Sequence, residues 1–212
     1  MYEDTKVLKL MMYSKSIHIL LFLAFISTSL GFQATTVFSV KRRATLLRDT
    51  AQVEEVLNSQ YPLFSKLVIN KNAEVWKKLS DASSDGFTIF APNDNAMRNL
   101  GDQKLSQLDD VRNTETAEKI AAFHAIGERV TADELYNSGG VVTIAGVVDV
   151  GRLVTGGFMG IGGKEDGGVT INGSKIVQTT EIEASLIHEV DTLVSPDVLW
   201  RYLDQLRIPG SN

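Results

Sequence analysis

The sequence predicts an α+β fold in which helices come first and a run of short strands follows. Three observations predict it. Apolar residues between Val53 and Leu79 recur at helical spacing. From Gly139-Gly140 onward the chain turns into short β-branched runs separated by glycines. Within that second part, "VTINGSKIV" at 169–177 alternates around Asn172-Gly173, a strong hairpin signal. Helices segregated from strands along the chain imply an antiparallel sheet system with a helical layer.

Each element follows from local chemistry. Val53, Val56 and Leu57 share one helical face. Pro62 interrupts it, because proline lacks an N–H and disfavours helix in the residue before it. Leu63, Phe64, Leu67 and Val68 restart a second face, and "AEVWKKL" forms a third helix with Val75, Trp76 and Leu79 inward. "FTIF", 87–90, is a buried strand that Pro92 ends. Asn93 or Asp94 then caps a helix, since a short oxygen-bearing side chain satisfies free N–H groups there. The stretch "FTIFAPNDNAM" therefore reads as an architectural corner: strand, tight bend, capped helix.

"TETAEKIAAFHAIG", 114–127, is the clearest helix, with acids in its first turn and Gly127 at its end. Ala117, Ile120, Ala121 and His124 form its apolar face. Thr131 and Glu134 stand at capping-box spacing and start a short helix. "VVTIA", "VVDV", the 169–177 hairpin, "EIEA" and "LIHEVDTLV" supply strands, Pro196 stops the last, and "PDVLWRYLDQL" closes the fold as a helix. "GGFMGIGGKEDGG", 156–168, has seven glycines. It lacks a Gly-Lys-Ser/Thr ending and no helix pattern follows, so it reads as a flexible loop between strands rather than a phosphate cradle.

Composition narrows the function. The chain has 212 residues and a formal charge of −5, so it offers no strong basic field for nucleic acid. Cysteine is absent, which removes disulfides, thiolate nucleophiles and Cys-based metal sites. Residues 1–31 read as a signal peptide: Lys6, Lys9 and Lys15 precede the apolar run "IHILLFLAFISTSL", and Ser29 and Gly31 place small side chains before a cleavage at Phe32. That run is shorter than the roughly 20 residues a membrane span needs. No stable span is expected after cleavage; an uncleaved signal anchor is the alternative. Met11 or Met12 would make a more usual start than Met1. Residues 32–52 hold Lys41, Arg42, Arg43 and Arg48 among Ser and Thr. They read either as a linker or as the transit-like half of a two-part plastid address. Residues 53–206 form a single domain, and 207–212 a tail. No apolar stretch follows Trp200-Arg201, so a GPI-type anchor is not expected.

The candidate chemistry is sparse. Of the three histidines, His18 lies in the leader. His124 on an apolar helix face reads as a core residue. His188 and Asp191 are three apart on a strand, which points them to opposite faces and argues against a His–Asp pair. Two histidines without a third ligand do not make a zinc site. Glu181 and Glu183 share one strand face without a cleft to shift a pKa. No catalytic residue, metal or cofactor is expected. Asn172-Gly173-Ser174 is an N-glycosylation sequon.

Three segments, in order, resemble the fasciclin (FAS1) family. "FTIFAPNDNAM" is similar to its first signature, carried here by Phe90, Ala91, Pro92 and Asn93. "FHAIGERVTADEL", 123–135, resembles its Tyr-His segment, with Phe123 and His124. "VTINGSKIVQTTEIEASLIHEVDTLVSP", 169–196, resembles its second signature, with His188 and Asp191. Phe123 departs from the family's common Tyr, Glu189 stands where an apolar residue is common, and the glycine-rich loop looks like an insertion. The resemblance implies a wedge of two β-sheets with a helical layer from the N-terminal half. It also implies a non-enzymatic interaction or adhesion module, secreted or at the cell surface, that binds a protein or glycan as a monomer. The alternative kept open is a small-molecule binder or enzyme, plastid-located, with a cleft near His124 and His188.

Overall fold

The computed structural model describes residues 49–82, 86–155 and 164–205. The leader, most of the basic stretch, residues 156–163 of the glycine-rich segment and the tail lie outside them. Residues 46–212 form one compact unit.

The helical layer follows the apolar spacing. A first helix, α1, spans 49–60 and buries Val53 and Leu57. It breaks at Tyr61, ahead of Pro62. Helix α2 (Pro62–Phe64) passes into a wider turn over Ser65–Ile69, closed by the Asn70 N–H on the Ser65 carbonyl. Helix α3 (Ala73–Ala82) buries Val75 and Leu79. Strand β1 (Thr88–Pro92) is buried along its whole length. Asn93 caps α4 (Asp94–Asn99), its Oδ1 accepting from the Ala96 N–H at 2.8 Å. Helices α5 (Asp102–Asp109) and α6 (Thr114–Phe123) follow.

Helix α6 stops at Phe123, four residues short of the expected Gly127. His124 leaves the helix, and Ala125–Ile126 become β2, which pairs with Ile89 and Thr88 of β1. The ladder to β1 outcompetes another helical turn that sequence spacing alone would allow. Helix α7 (Ala132–Tyr136) opens with the Thr131–Glu134 capping box. Helix α8 (Val198–Gln205) follows the last strand.

The strands β3 (Gly140–Val142), β4 (Val147–Thr155), β5 (Lys164–Ile171), β6 (Ser174–Ile182) and β7 (Ser185–Val190) complete the sheet. Its order is β2-β1-β7-β6-β5-β4-β3. The antiparallel expectation needs one correction: β1 and β7 run parallel, in register from Thr88–Leu186 to Pro92–Val190. Periodicity cannot show this, because it reports faces and not partners. The two implied sheets are likewise arms of one hydrogen-bonded order. Strands β5 and β6 pair only at Thr170–Lys175 and Ile171–Ser174, beside their turn, while the rest of β6 pairs with β7. The sheet splays at that hairpin.

Other boundaries moved as well. "VVTIA" is a strand only through Val142. The segment Lys164–Gly168, read as loop, belongs to β5. "SKIV" and "EI" are one continuous strand, and β7 ends at Val190 rather than running on to Pro196. Glu183 sits in the β6–β7 turn at φ 50, so it does not share a strand face with Glu181. Glu181 instead pairs with Arg129 at 2.9 Å.

Two apolar clusters flank β1. Phe87, Ile89 and Ala91 face the helices together with Leu57, Phe64, Ile120 and Ile187. Phe90 faces the other way, with Ile126, Leu135, Val148, Ile171, Val190 and Val194. A strand buried on both faces shows no apolar/exposed-polar alternation, and the one polar side chain in "FTIF", Thr88, is buried with its hydroxyl donating to the Glu128 carbonyl.

Three elements meet just before β1. Phe87 accepts from the Leu186 N–H through its carbonyl, and its own N–H donates to Ser185 Oγ. The buried carboxylate of Asp49, the first described residue of α1, accepts from the Ala184 N–H and Ser185 Oγ. Gly86 lies against this turn at φ +100, and a Cβ there would come within 2.0 Å of the Ala184 carbonyl oxygen. Both conformation and space exclude a side chain. Gly86→Ala is therefore expected to lower unfolding free energy by roughly 2 kcal/mol or more. Urea unfolding with an unchanged m-value would confirm this; a loss within error of zero would refute it.

Candidate functional site

The family-like residues gather around β1 and β7, and their chemistry is mostly internal. Phe90 donates its backbone N–H to the His124 carbonyl at 2.8 Å, which ties the first signature to the segment that resembles the Tyr-His motif. Its ring stacks on His188, its direct partner across the parallel ladder, with centroids 5.7 Å apart. Ala91 is fully buried beside Glu189. Pro92 is tolerated in a strand for a specific reason. Phe90 uses its N–H on the β2 side and Asn93 donates to Val190 on the β7 side. By alternation Pro92's missing N–H faces the β2 side, where β2 has already ended.

Both imidazoles are fully buried, and backbone groups fix their tautomers. The Val194 N–H can only donate, so His124 Nε2 accepts from it at 3.0 Å. The Ile120 carbonyl can only accept, so His124 Nδ1 carries the proton and donates at 2.8 Å. The Phe64 ring lies 5.2 Å away. Burial pushes this His down to about 4, against its bond to Ile120, which acts the other way. His188 uses its two nitrogens similarly. Nε2 donates to the Val130 carbonyl at 2.8 Å, and Nδ1 accepts from Thr179 Oγ1 at 2.8 Å. Burial also lowers its pKa. His124 packs with the helices and His188 with the second apolar cluster. Asp191 lies beyond the end of β7 and holds the Lys175 N–H at 2.8 Å. Phe123, half-buried, bridges both apolar clusters.

Sequence reasoning missed one polar constellation. Glu189, noted only as a departure, accepts from Asn93 Nδ2 at 3.0 Å and from the Tyr61 hydroxyl at 3.3 Å. Asn93 thus works twice, capping α4 with its oxygen and holding Glu189 with its nitrogen. Burial first, then the charge and hydrogen bond of Glu189, push the Tyr61 phenol up to about 12. The only local hint was a carboxylate set between Val190 and His188. Tyr61 is 128 positions away and gave no signal.

Among the described residues, no group of three or more His, Cys, Asp or Glu could hold a metal ion. No described helix is long and apolar enough to cross a membrane. An open cavity of about 550 Å³ lies along one side of α1, lined by Ala51, Glu54, Glu55, Asn58 and Ser59. It is remote in sequence from every signature residue. On β3, a sheet edge, Val142 stands opposite Val147 of β4, at 67% and 70% exposure.

Residues 59–196 match the fasciclin domain family model, more than half of the chain, and the chain belongs to that family. No curated protein matches it. Among solved structures, a FAS1 domain pair from the insect cell adhesion molecule Fasciclin I is similar at 17% identity and a TM-score of 0.44. The match covers 62% of this chain and 43% of that one.

Two predictions follow from this geometry. The native fold binds His124 neutral, with a pKa near 4 against an ordinary 6.5. Below pH 6.5 the unfolded chain binds the extra proton first, so stability falls as pH drops through this window and levels off near 4. The full effect is about 3 kcal/mol. In His124→Gln the side-chain oxygen can still accept from Val194 and cannot titrate. Denaturation midpoints at pH 7 and 5 should converge in the variant relative to wild type; an equal pH slope in both would refute the assignment. Asn93→Asp keeps the cap oxygen but sets a second carboxylate against Glu189. It should cost about 1–3 kcal/mol at pH 7 and less near pH 4, when one carboxyl is protonated. A cost independent of pH would refute the charge argument.

Proposed function

We propose that this fasciclin-family chain is a non-enzymatic interaction module, exported through the secretory pathway, that holds a partner by its surface. One observation carries the reading. Both imidazoles of the folded part spend all four ring nitrogens on internal bonds, so neither can serve as base, nucleophile or ligand without breaking the frame. What remains outward is surface. Among the described strands β3 ends the sheet order, next to the exposed Val142–Val147 pair, a combination that suits a protein partner laid along the edge.

The test immobilises the full chain and measures binding to wall and membrane fractions of its source cells. Saturable binding is expected, weakened about tenfold or more by Val142→Asp with Val147→Asp, with an unchanged circular dichroism spectrum. Binding indifferent to the double variant would remove the edge from the reading. A C-terminally tagged chain found in plastids instead of at the wall or in the medium would overturn the adhesive role.

A further inference from the structure

We propose that Asn172 is an N-glycan attachment site that accepts its sugar only before the β5–β6 hairpin closes. The proposal rests on the secretory route above. Asn172 is exposed at the apex of the hairpin, with φ 49, and Gly173 follows at φ 85, the two left-handed residues of a type I′ turn. Asn172 Nδ2 carries two hydrogens. One is donated to the Val194 carbonyl at 2.9 Å. An N-glycan replaces a single hydrogen, so the sugar and the Val194 bond are compatible. The exposed apex directs the sugar to solvent.

Ser174 tells when attachment occurs. Its hydroxyl makes the triplet an acceptor. In the folded chain Ser174 is only 1% exposed. Its Oγ donates to the Leu193 carbonyl at 2.9 Å and accepts from Thr192 Oγ1 at 2.7 Å. The segment 192–194 therefore covers both working side chains of the sequon, and a transferase would have to displace it. In the transfer, Asn172 Nδ2 bonds to C1 of the sugar and loses one proton to a transferase base. The C1–O bond of a lipid-diphosphate-linked oligosaccharide breaks, and the lipid diphosphate leaves with that electron pair.

The same strap leads on to His124, because the Val194 N–H donates to His124 Nε2. Loss of the Asn172 amide would therefore loosen a connection between the hairpin and α6. Removing the glycan by an amidase converts Asn172 to Asp and places a carboxylate against the Val194 carbonyl. Trimming by an endoglycosidase leaves one sugar and the amide.

The experiment translates the full chain with endoplasmic-reticulum microsomes, and protease protection reports translocation separately from modification. A protected chain should show one endoglycosidase-sensitive mobility shift, kept by Ser174→Thr and lost in Ser174→Ala and Asn172→Gln. In a second arm, detergent-solubilised microsomal transferase with its lipid-linked donor acts on purified chain. Urea-unfolded and diluted chain should be modified, and folded chain should not. In a third, amidase treatment should lower the thermal midpoint while endoglycosidase treatment leaves it unchanged. A protected chain without a shift overturns the attachment, and equal modification of folded and unfolded chain overturns the timing. An unprotected chain overturns the secretory reading and attachment in the cell with it, while the second arm still decides whether the sequon is an acceptor.

Discussion

The parallel pairing of β1 with β7 is the constraint on which the rest depends. It joins residues nearly a hundred positions apart, and it buries β1 on both faces. Once Phe90 lies opposite His188, its neighbours are fixed by the ladder. Ala91 meets Glu189, and the Asn93 N–H reaches Val190. Gly86 must then slip under the β6–β7 turn, where only a bare Cα fits. The two faces of β1 feed different apolar clusters, so a register shift by one residue would exchange Ile89 for Phe90 in both at once. Burial of each such side chain contributes about 1.5–3 kcal/mol, and a slip forfeits several together.

The imidazoles serve this arrangement as neutral cross-braces. Each reaches backbone groups that the sheet ladder does not serve: the Ile120 carbonyl at the end of α6, the Val130 carbonyl before α7 and the Val194 N–H after β7. An apolar side chain of similar size would fill the space and leave those groups unpaired, at about 1–3 kcal/mol each. A charged imidazole would satisfy the carbonyls but oppose the Val194 N–H. At His124 only the neutral ring, protonated on Nδ1, satisfies both backbone partners; at His188 the Val130 carbonyl requires a proton on Nε2. Burial lowers both pKa values for the same reason that it makes the bonds necessary.

Features set by neighbours along the chain were legible in the sequence. The Asn172-Gly173 turn, the Thr131–Glu134 capping box and the Asn93 cap each depend on two to four consecutive residues, and each appears as read. The family signatures added the wedge of strands with its helical layer. Features decided by distant partners were not legible. The pattern from Ala117 to His124 is helical, yet β1 captures Ala125 and Ile126 and ends the helix. Lys164 and Glu165 look like loop, yet β4 pairs with them through Thr155 and Val154, on the far side of an irregularity that takes up Gly167 and Gly168. Glu181 and Glu183 alternate like strand residues until the turn at Glu183 takes one of them away. The Glu189 constellation needed Tyr61 and Asn93, one from before β1 and one from after it, so no window of sequence contains it.

That constellation also shows how a polar departure can be tolerated beside a core. A half-buried carboxylate is costly unless its oxygens are occupied, and a hydrophobic replacement of the whole group is often as stable. Here one oxygen takes the Asn93 amide and the other the Tyr61 hydroxyl. Asn93 is already committed to capping α4, and Tyr61 is the hinge between α1 and α2. Glu189 therefore fixes the position of two helical segments against one strand, which an apolar residue would do only by shape. The cost of the charge and the gain in register fall on the same residues, so the three side chains are expected to have become interdependent. Removing any single one leaves a polar group without its partner. Only a concerted exchange of all three would make the position apolar without leaving a polar group unpartnered.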